Sequence, residues 1–180
     1  MYPDKTLTPK EATRLCMLGT LAAGDVTYAD IARSVRIFTG ALLGPSLDVL
    51  ASAIELLRLE GLVVFSEAES EDREKTPLHM TASGRHELVS LLKAPIRENG
   101  GEYNRLVVAL KVRFLHVLEP KDRQEQIEML LDAADAELGR LDTLDSVHGG
   151  ESDLFKAWLS QERATVEARS AWLEAIQATL

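Results

Sequence analysis

Apolar positions recur at helical spacing in three successive stretches before Leu62, and this pattern predicts three helices. Thr8-Pro9 provides an N-cap and a first helical residue for the first of them. We expect the second helix to start at Thr27 and to end at Thr39-Gly40. The third is predicted from Gly44-Pro45 to Glu60-Gly61, because glycine commonly ends a helix.

The period then changes from helical to extended. Leu62 to Phe65 is rich in residues that favour strands, and the segment from Thr76 to Thr81 predicts the returning strand. Residues 67–75 between them are polar and predict the turn. A further helix is expected over residues 85–93. Three helices, a hairpin and a fourth helix in this order are the layout of a winged helix-turn-helix.

The second half of the chain is predicted to be helical and to self-associate. Pro95 and the segment 97–101 break the pattern, so we expect a winged domain over residues 1–94 and a helical dimerisation domain over residues 95–180. Helices are predicted over residues 102–118, from Pro120 onward, and after a cap at Ser152 or Asp153. Their apolar positions are Ile127, Leu131, Ala134, Leu138 and Leu141, then Leu159, Val166, Leu173 and Leu180. This apolar surface exceeds what so short a unit can bury by itself, which favours a dimerisation arm.

Composition excludes several classes of protein. The chain has 20 Lys and Arg against 29 Asp and Glu, a formal charge of −9, so a nonspecific nucleic-acid coat protein is not expected. It has one cysteine, Cys16, which excludes an internal disulfide framework. We expect a cytoplasmic protein, because no apolar run is long enough to span a membrane and the amino terminus lacks a signal-peptide pattern.

The charge is unevenly divided along the chain. Residues up to Ala94 hold 10 basic and 13 acidic residues, and the remainder hold 10 and 16. The amino-terminal part is therefore the less acidic one, and any contact with nucleic acid is expected there.

No motif of an enzyme or of a cofactor site is present in the sequence. A phosphate-binding glycine loop, a nucleophile elbow and a His-Glu metal motif are all missing. The four histidines lack the spacing of metal ligands. We therefore expect a protein that is not an enzyme, with no metal and no cofactor.

Four segments in order carry a resemblance to a known family. They are LGTLAAG at 18–24, TYADIA at 27–32, LASAIELLRLEGLV at 50–63 and LHMTASGR at 78–85. In order, they are similar to four parts of the proteins in that family: the first helix and turn, the second helix, the recognition helix with the start of the wing, and the Leu-Thr-x-x-Gly-Arg that follows the wing. The ordered set resembles the PadR family of bacterial transcriptional regulators, and the carboxy-terminal helices resemble the dimerisation arm of that family.

The resemblance implies a homodimeric repressor that binds an inverted-repeat operator and is released by a small-molecule effector or another signal. Each winged domain would place its third helix in a major groove. The alternative is a winged-helix protein-interaction module that has lost DNA binding. Residues 67–75, with five acids and two bases, favour this alternative, as does Asp48 near the start of the third helix. Asp48 is also suited to stabilise the amino-terminal end of that helix.

The candidate contacts to double-stranded DNA lie on the second helix, the third helix and the wing. They are Tyr28, Arg33, Arg36, Ser46, Ser52, Arg58, Arg73 and Lys75. Guanidinium groups suit phosphate, and hydroxyl groups bond to phosphates or base edges. The alternative for the arginines is a set of ordinary solvated charges, and for the serines it is plain helix surface.

The last helix carries the aromatic candidates. Trp158 and Trp172 are 14 residues apart and therefore share a helix face, with Phe155 beside them. One interpretation is a seam that binds a small aromatic effector. The other is packing of the dimer interface itself, which we favour. Cys16 is expected to be buried and inert, with redox sensing as the alternative.

Overall fold

The computed structural model describes residues 1–43, 50–66, 76–97 and 101–180, and within these ranges the side chains of residues 43, 50–53 and 102 are not described. The elements in chain order are α1 (Pro9–Leu21), β1 (Val26–Thr27), α2 (Tyr28–Leu43), α3 (Leu50–Leu59), β2 (Val63–Phe65), β3 (Pro77–Met80), α4 (Ala82–Lys93), α5 (Gly101–Phe114), a 3-10 turn (Leu115–Val117), α6 (Pro120–His148) and α7 (Asp153–Gln177). This is the predicted class, a mainly helical chain whose first part is a winged helix-turn-helix.

Two compact units make up the chain, Met1–Leu118 and Glu119–Leu180. The first therefore extends beyond residue 94, where the sequence pattern placed the domain boundary. The physical reason is the packing of α5, which lies against α1 and α2. Its apolar face belongs to the core of the first unit, and its buried residues are Leu106, Val107, Leu110 and Phe114.

The start of α1 follows the sequence prediction. Thr8 is the N-cap, and its hydroxyl accepts from the Glu11 backbone N–H while the Glu11 carboxylate accepts from the Thr8 N–H at 2.8 Å. This reciprocal capping box satisfies two amide groups that the first turn leaves without helical partners. The helix ends at Leu21, before Gly24.

The second helix is longer than predicted, because α2 continues past Thr39-Gly40 to Leu43. Thr39 is buried, and its hydroxyl donates to the backbone carbonyl of Val35 at 2.8 Å, so the polar group is satisfied without ending the helix. Gly40 costs an exposed helix only about 1 kcal/mol relative to alanine. The apolar run after it extends the helix.

The wing forms an antiparallel sheet with one strand that the sequence pattern did not predict. The strand order is β1-β3-β2, and the hairpin pairs Val63 with Met80 and Phe65 with Leu78. The hairpin was predicted. Val26 pairs with Leu78 from the other side, but a two-residue strand is too short to produce a periodic signal. Gly61, at φ +71°, adopts the left-handed conformation expected of the predicted helix stop.

Thr81 and Gly84 explain the Thr-x-x-Gly-Arg sequence at residues 81–85 in physical terms. The Thr81 hydroxyl accepts from the Gly84 N–H at 3.0 Å, which caps α4. The same hydroxyl lies 2.8 Å from the carbonyl of Gly61 and can donate to it, which ties the helix start to the hairpin. A Cβ at Gly84 would lie 2.1 Å from the carbonyl oxygen of Leu62, so only glycine fits.

The second unit consists of two helices, α6 and α7, which follow each other in the chain and pack against each other. On α7 the predicted repeat of Leu159, Val166 and Leu173 is buried. Leu180 lies beyond the end of α7 and is exposed. On α6 the buried residues are Gln126, Ile127, Leu130 and Ala134. Two ion pairs also join the helices. Arg163 of α7 bonds to Asp142 of α6, and Arg169 of α7 bonds to Glu137 of α6.

Candidate nucleic-acid interface

The outward side of α2 carries two arginines, as predicted. Ile31 and Val35 face the core and are buried, whereas Arg33 and Arg36 are exposed. Arg33 is 71% exposed and lies 3.7 Å from the Asp30 carboxylate, an ion pair that solvent weakens. These guanidinium groups are thus accessible to a phosphate backbone.

Tyr28 is the first residue of α2 and is half-buried. The Thr27 hydroxyl next to it accepts from the Asp30 backbone N–H at 3.2 Å and donates to the Asp30 carboxylate at 2.7 Å. Thr27 therefore caps the start of α2. This cap fixes where α2 begins and so where Tyr28 lies.

The third helix buries Ile54 and Leu57. Arg58 does not extend freely from it, because its Nε lies 3.0 Å from Glu55 and its guanidinium lies 5.7 Å from the centre of the Phe65 ring. To reach DNA, Arg58 must exchange its bond to Glu55 for one to phosphate.

Two leucines on the third helix, Leu56 and Leu59, are exposed. They were not among the predicted contacts, although their helical spacing relative to Ile54 and Leu57 places them on the outward side. They add apolar surface to the outward side of α3.

Several predicted contacts lie outside the described part of the chain. Ser46, Arg73 and Lys75 fall in the ranges that the structure does not describe, together with Asp48, and the side chain of Ser52 is not described. They remain predictions.

A half-exposed cluster of ion pairs, which no local pattern predicts, joins the end of α3 to α1 and α4. Arg14 of α1 lies 2.8 Å from Glu60, just after α3, and 3.1 Å from Glu87 of α4. Partial burial works against the charge, but the hydrogen bonds to both carboxylates outweigh it and raise the pKa of Arg14. One guanidinium thus joins three elements of the winged unit. No local signal predicts it, since the partners lie far apart in sequence.

A shallow cavity of about 350 Å³ opens between the turn after α1 and the start of α4. His79 of β3 lies 2.6 Å from the Asp25 carboxylate at its edge, and both side chains are exposed. The pair ties β3 to the turn that precedes β1.

The aromatic residues of α7 are accessible within their unit. Trp158 is 47% and Trp172 45% exposed, and Leu154 on the same side is 86% exposed. The rings of Phe155 and Trp158 are stacked, with centroids 5.7 Å apart and planes 16° from parallel. The face predicted from the 14-residue spacing is therefore an apolar stripe that α6 does not cover.

In the described ranges, neither the cysteine nor any group of metal-binding side chains forms a reactive or metal-binding site. Cys16 is buried, and burial raises the pKa of its thiol to about 11, against the opposing charge of Arg113, so the thiolate is scarce at neutral pH. Across the described ranges, no set of three His, Cys, Asp or Glu side chains is placed to hold a metal ion. None of the helices in those ranges has the length and apolar character required to span a membrane.

The acidic excess belongs mainly to the second unit. Residues 119–180 hold 6 Lys and Arg against 14 Asp and Glu, and residues 1–118 hold 14 against 15. The winged unit is therefore almost neutral, at −1, and the helix pair carries −8. A phosphate backbone would meet little net repulsion from the winged unit itself.

The model of the AphA-like transcriptional regulator family matches residues 2–177, nearly the whole chain. The chain belongs to this family. Its members are described as transcriptional regulators, which confirms the expectation that this regulator is not an enzyme. No curated protein matches the sequence significantly.

Solved structures similar to this AphA-like regulator include several of PadR from Bacillus subtilis. One structure of PadR is 20% identical, and the match covers 97% of this chain and 97% of that chain with a TM-score of 0.43. PadR with operator DNA is 22% identical, covers 92% of this chain and 97% of that chain, and has a TM-score of 0.40. PadR with p-coumaric acid is 21% identical, with coverages of 93% and 98% and a TM-score of 0.42. The chain is thus similar to PadR, as the sequence predicted, and it belongs to a family of transcriptional regulators.

Proposed function

We propose that this regulator is a homodimeric repressor whose two winged units bind the halves of an inverted-repeat operator. The observation that carries the proposal is the order α1, α2, α3 and wing hairpin in a chain that belongs to a family of transcriptional regulators. In such a unit the third helix enters the major groove, and the second helix lies across the backbone. Residues 1–94 are the proposed DNA-reading part.

The proposed phosphate contacts are made first by Arg33 and Arg36, because both are exposed on the outward side of α2. Arg58 joins them when its guanidinium leaves the Glu55 carboxylate and bonds to a phosphate instead. Tyr28, Ser46, Ser52, Arg73 and Lys75 complete the proposed set. The winged unit has a net charge of only −1 and so would repel the phosphate backbone little, and the arginine contacts would make binding sensitive to salt.

The proposed dimer forms through the second unit, residues 119–180, with the stripe of Leu154, Trp158 and Trp172 covered by a second copy. This stripe is apolar and exposed in the single chain. Tryptophan is among the residues that contribute most to binding energy at interfaces. A two-fold dimer would present two winged units to an operator with matching two-fold symmetry.

The proposed signal is a small aromatic molecule. The stacked pair of Phe155 and Trp158 supports this choice, because flat apolar ligands stack on such rings. Binding beside the interface would change how the two copies associate and so lower affinity for the operator.

The test is a binding titration of the purified protein against the DNA upstream of its own gene, over a series of salt concentrations. We expect binding that weakens steeply with salt, and replacement of Arg33 and Arg36 by Glu should reduce affinity on the order of 100-fold or more. Arg105→Glu, the same substitution at one exposed position of α5, is the control and should have little effect. If the wild-type protein does not bind at low salt, the repressor proposal is wrong and the interaction-module alternative is favoured.

A further inference from the structure

Arg113, near the end of α5, lies between two aromatic rings. Its Cζ atom is 4.9 Å from the centre of the Phe38 ring and 4.8 Å from the centre of the Phe114 ring. Phe38 belongs to α2 and Phe114 to α5. A cation over an aromatic face is attracted by the ring quadrupole, so this guanidinium joins the two helices.

The same guanidinium makes a directional bond to α2. Its Nη2 donates to the Ser34 hydroxyl at 3.2 Å, and its Nη1 lies 4.0 Å from the Sγ atom of Cys16 on α1. The Arg113 head group thus contacts both helices against which α5 packs. A planar fork with five N–H donors can stack and donate at once, which an ammonium group cannot do.

The two contacted residues of α2 lie at a position that controls its rotation. Ser34 and Phe38 are one helical turn apart, beside the buried stripe that contains Val35. Arg33 and Arg36 lie on the outward side. If α2 rotated about its axis, the contacts to Arg113 would break, and the two arginines would point in a new direction.

Arg113 is attached to a helix that is itself held firmly. The Phe114 ring lies so close to Gly19 of α1 that a Cβ there would be 2.4 Å away. One turn earlier, Lys111 is buried, and its ammonium group donates to the backbone carbonyl of Leu92 at the end of α4. The α5 helix therefore provides a fixed support from which Arg113 holds α2.

We propose that Arg113 is a positioning residue that fixes the rotation of α2 and so directs Arg33 and Arg36 toward the DNA backbone. This inference rests on the proposed function. Arg113 acts through α2 and makes no phosphate contact of its own.

The test measures operator affinity of the full-length protein for Arg113→Met and Arg113→Lys across a salt series. We expect affinity to fall about tenfold in both, because lysine keeps the charge but loses the planar stacking. The slope of log affinity against log salt should stay at the wild-type value, since no phosphate contact is removed. Arg105→Met is the matched control on the same helix and should bind like the wild type.

A second arm uses a protein that lacks the two outward arginines, with Arg33→Gln and Arg36→Gln. If Arg113 acts by directing these residues, adding Arg113→Met should cause no further loss of affinity. Full additivity would overturn the proposal, and so would a salt slope that falls by about one unit per operator half-site in Arg113→Met.

A third arm does not depend on DNA. Hydrogen exchange of the α2 backbone amides should be faster in Arg113→Met than in the wild type, and exchange in α4 should be unchanged. Should Arg113→Met fail to fold, Ser34→Ala removes only the hydrogen bond, and we expect a two- to threefold loss of affinity on the scale of about 0.5 kcal/mol for one exposed bond. Wild-type binding with unaffected variants would reject this inference alone, whereas absence of wild-type binding would reject the proposed function and this inference together.

Discussion

The Phe114 ring packs directly against the backbone of Gly19, where a Cβ atom would lie 2.4 Å from Cδ2 of the ring. Phe114 is buried, so its ring has no free space into which it could turn. The missing side chain at position 19 is what lets α5 approach α1 this closely. The first compact unit includes α5 for this reason.

Gly19→Ala is therefore expected to destabilise the winged unit by about 2 kcal/mol, because a methyl group would overlap a packed ring. Chemical denaturation measures the change. Gly139→Ala on α6 is the control, since a Cβ there meets nothing within 4 Å and alanine favours a helix. Combining Gly19→Ala with Phe114→Leu should recover part of the loss. Equal stability of the two alanine variants would show that the close approach is not important.

Lys111 predicts a pH dependence of stability. Its side chain is 1% exposed, and burial lowers its pKa from 10.5 to about 7. Above pH 7 the unfolded chain therefore holds a proton at this residue that the folded chain has lost. The free energy of unfolding should rise with pH from about 7 toward 9, by at most about 1.4 kcal/mol per pH unit from this group.

The measurement is a denaturation series at pH 7, 8 and 9 on the wild type and on Lys111→Met. Other groups titrate alike in both proteins, so the difference between them isolates Lys111. We expect the stability advantage of Lys111→Met to be largest near pH 7 and to shrink as pH rises. A constant difference across the series would contradict a depressed pKa.

Replacing Thr81 is expected to lower stability, because its hydroxyl caps α4 and bonds to the hairpin. Thr81→Ala removes the acceptor for the Gly84 N–H and the donor to Gly61 and should cost about 1–2 kcal/mol. Thr81→Ser keeps the hydroxyl and should retain most of the stability. Thr143→Ala on α6, where the exposed hydroxyl donates only to Gly139, is the control for loss of a threonine hydroxyl. A cost as small as that of the control would show that Thr81 is not a structural cap.

Trp158 and Trp172 test the proposed dimer. Their replacement by Ser, singly, should weaken self-association by about tenfold or more, since buried tryptophans commonly contribute about 2 kcal/mol or more at an interface. Sedimentation over a range of concentrations measures this. Trp172→Phe should lose less than Trp172→Ser. A wild-type chain that sediments as a monomer at micromolar concentration would reject the dimer.

The elements of this fold that are specified locally were predictable. The Thr8 cap, the stop at Gly61, and the change of period that marks the hairpin each depend on residues within a few positions of one another. These caps, stops and changes of period can therefore be recognised in the sequence. Four segments in order were also enough to indicate a family of regulators.

The parts that depend on distant contacts were not predictable from one sequence. Pro95 and the glycines after it suggested a domain boundary, yet α5 packs back onto α1 and α2. Arg14 pairs with Glu60 and Glu87, which are 46 and 73 positions away. Nothing in the local pattern distinguishes such an arginine from a solvated one.

The sequence by itself determined most of the helical segments, the wing hairpin, the family and the outward direction of Arg33 and Arg36, because hydrophobic period and capping act over short distances. Only the tertiary structure decided where the first unit ends and what Arg113 holds. Gly19 and Phe114 are far apart in the chain, and their fit depends on the shape of a ring against a backbone. Such complementarity arises only when helices pack together, so it cannot be predicted from the order of residues within one helix.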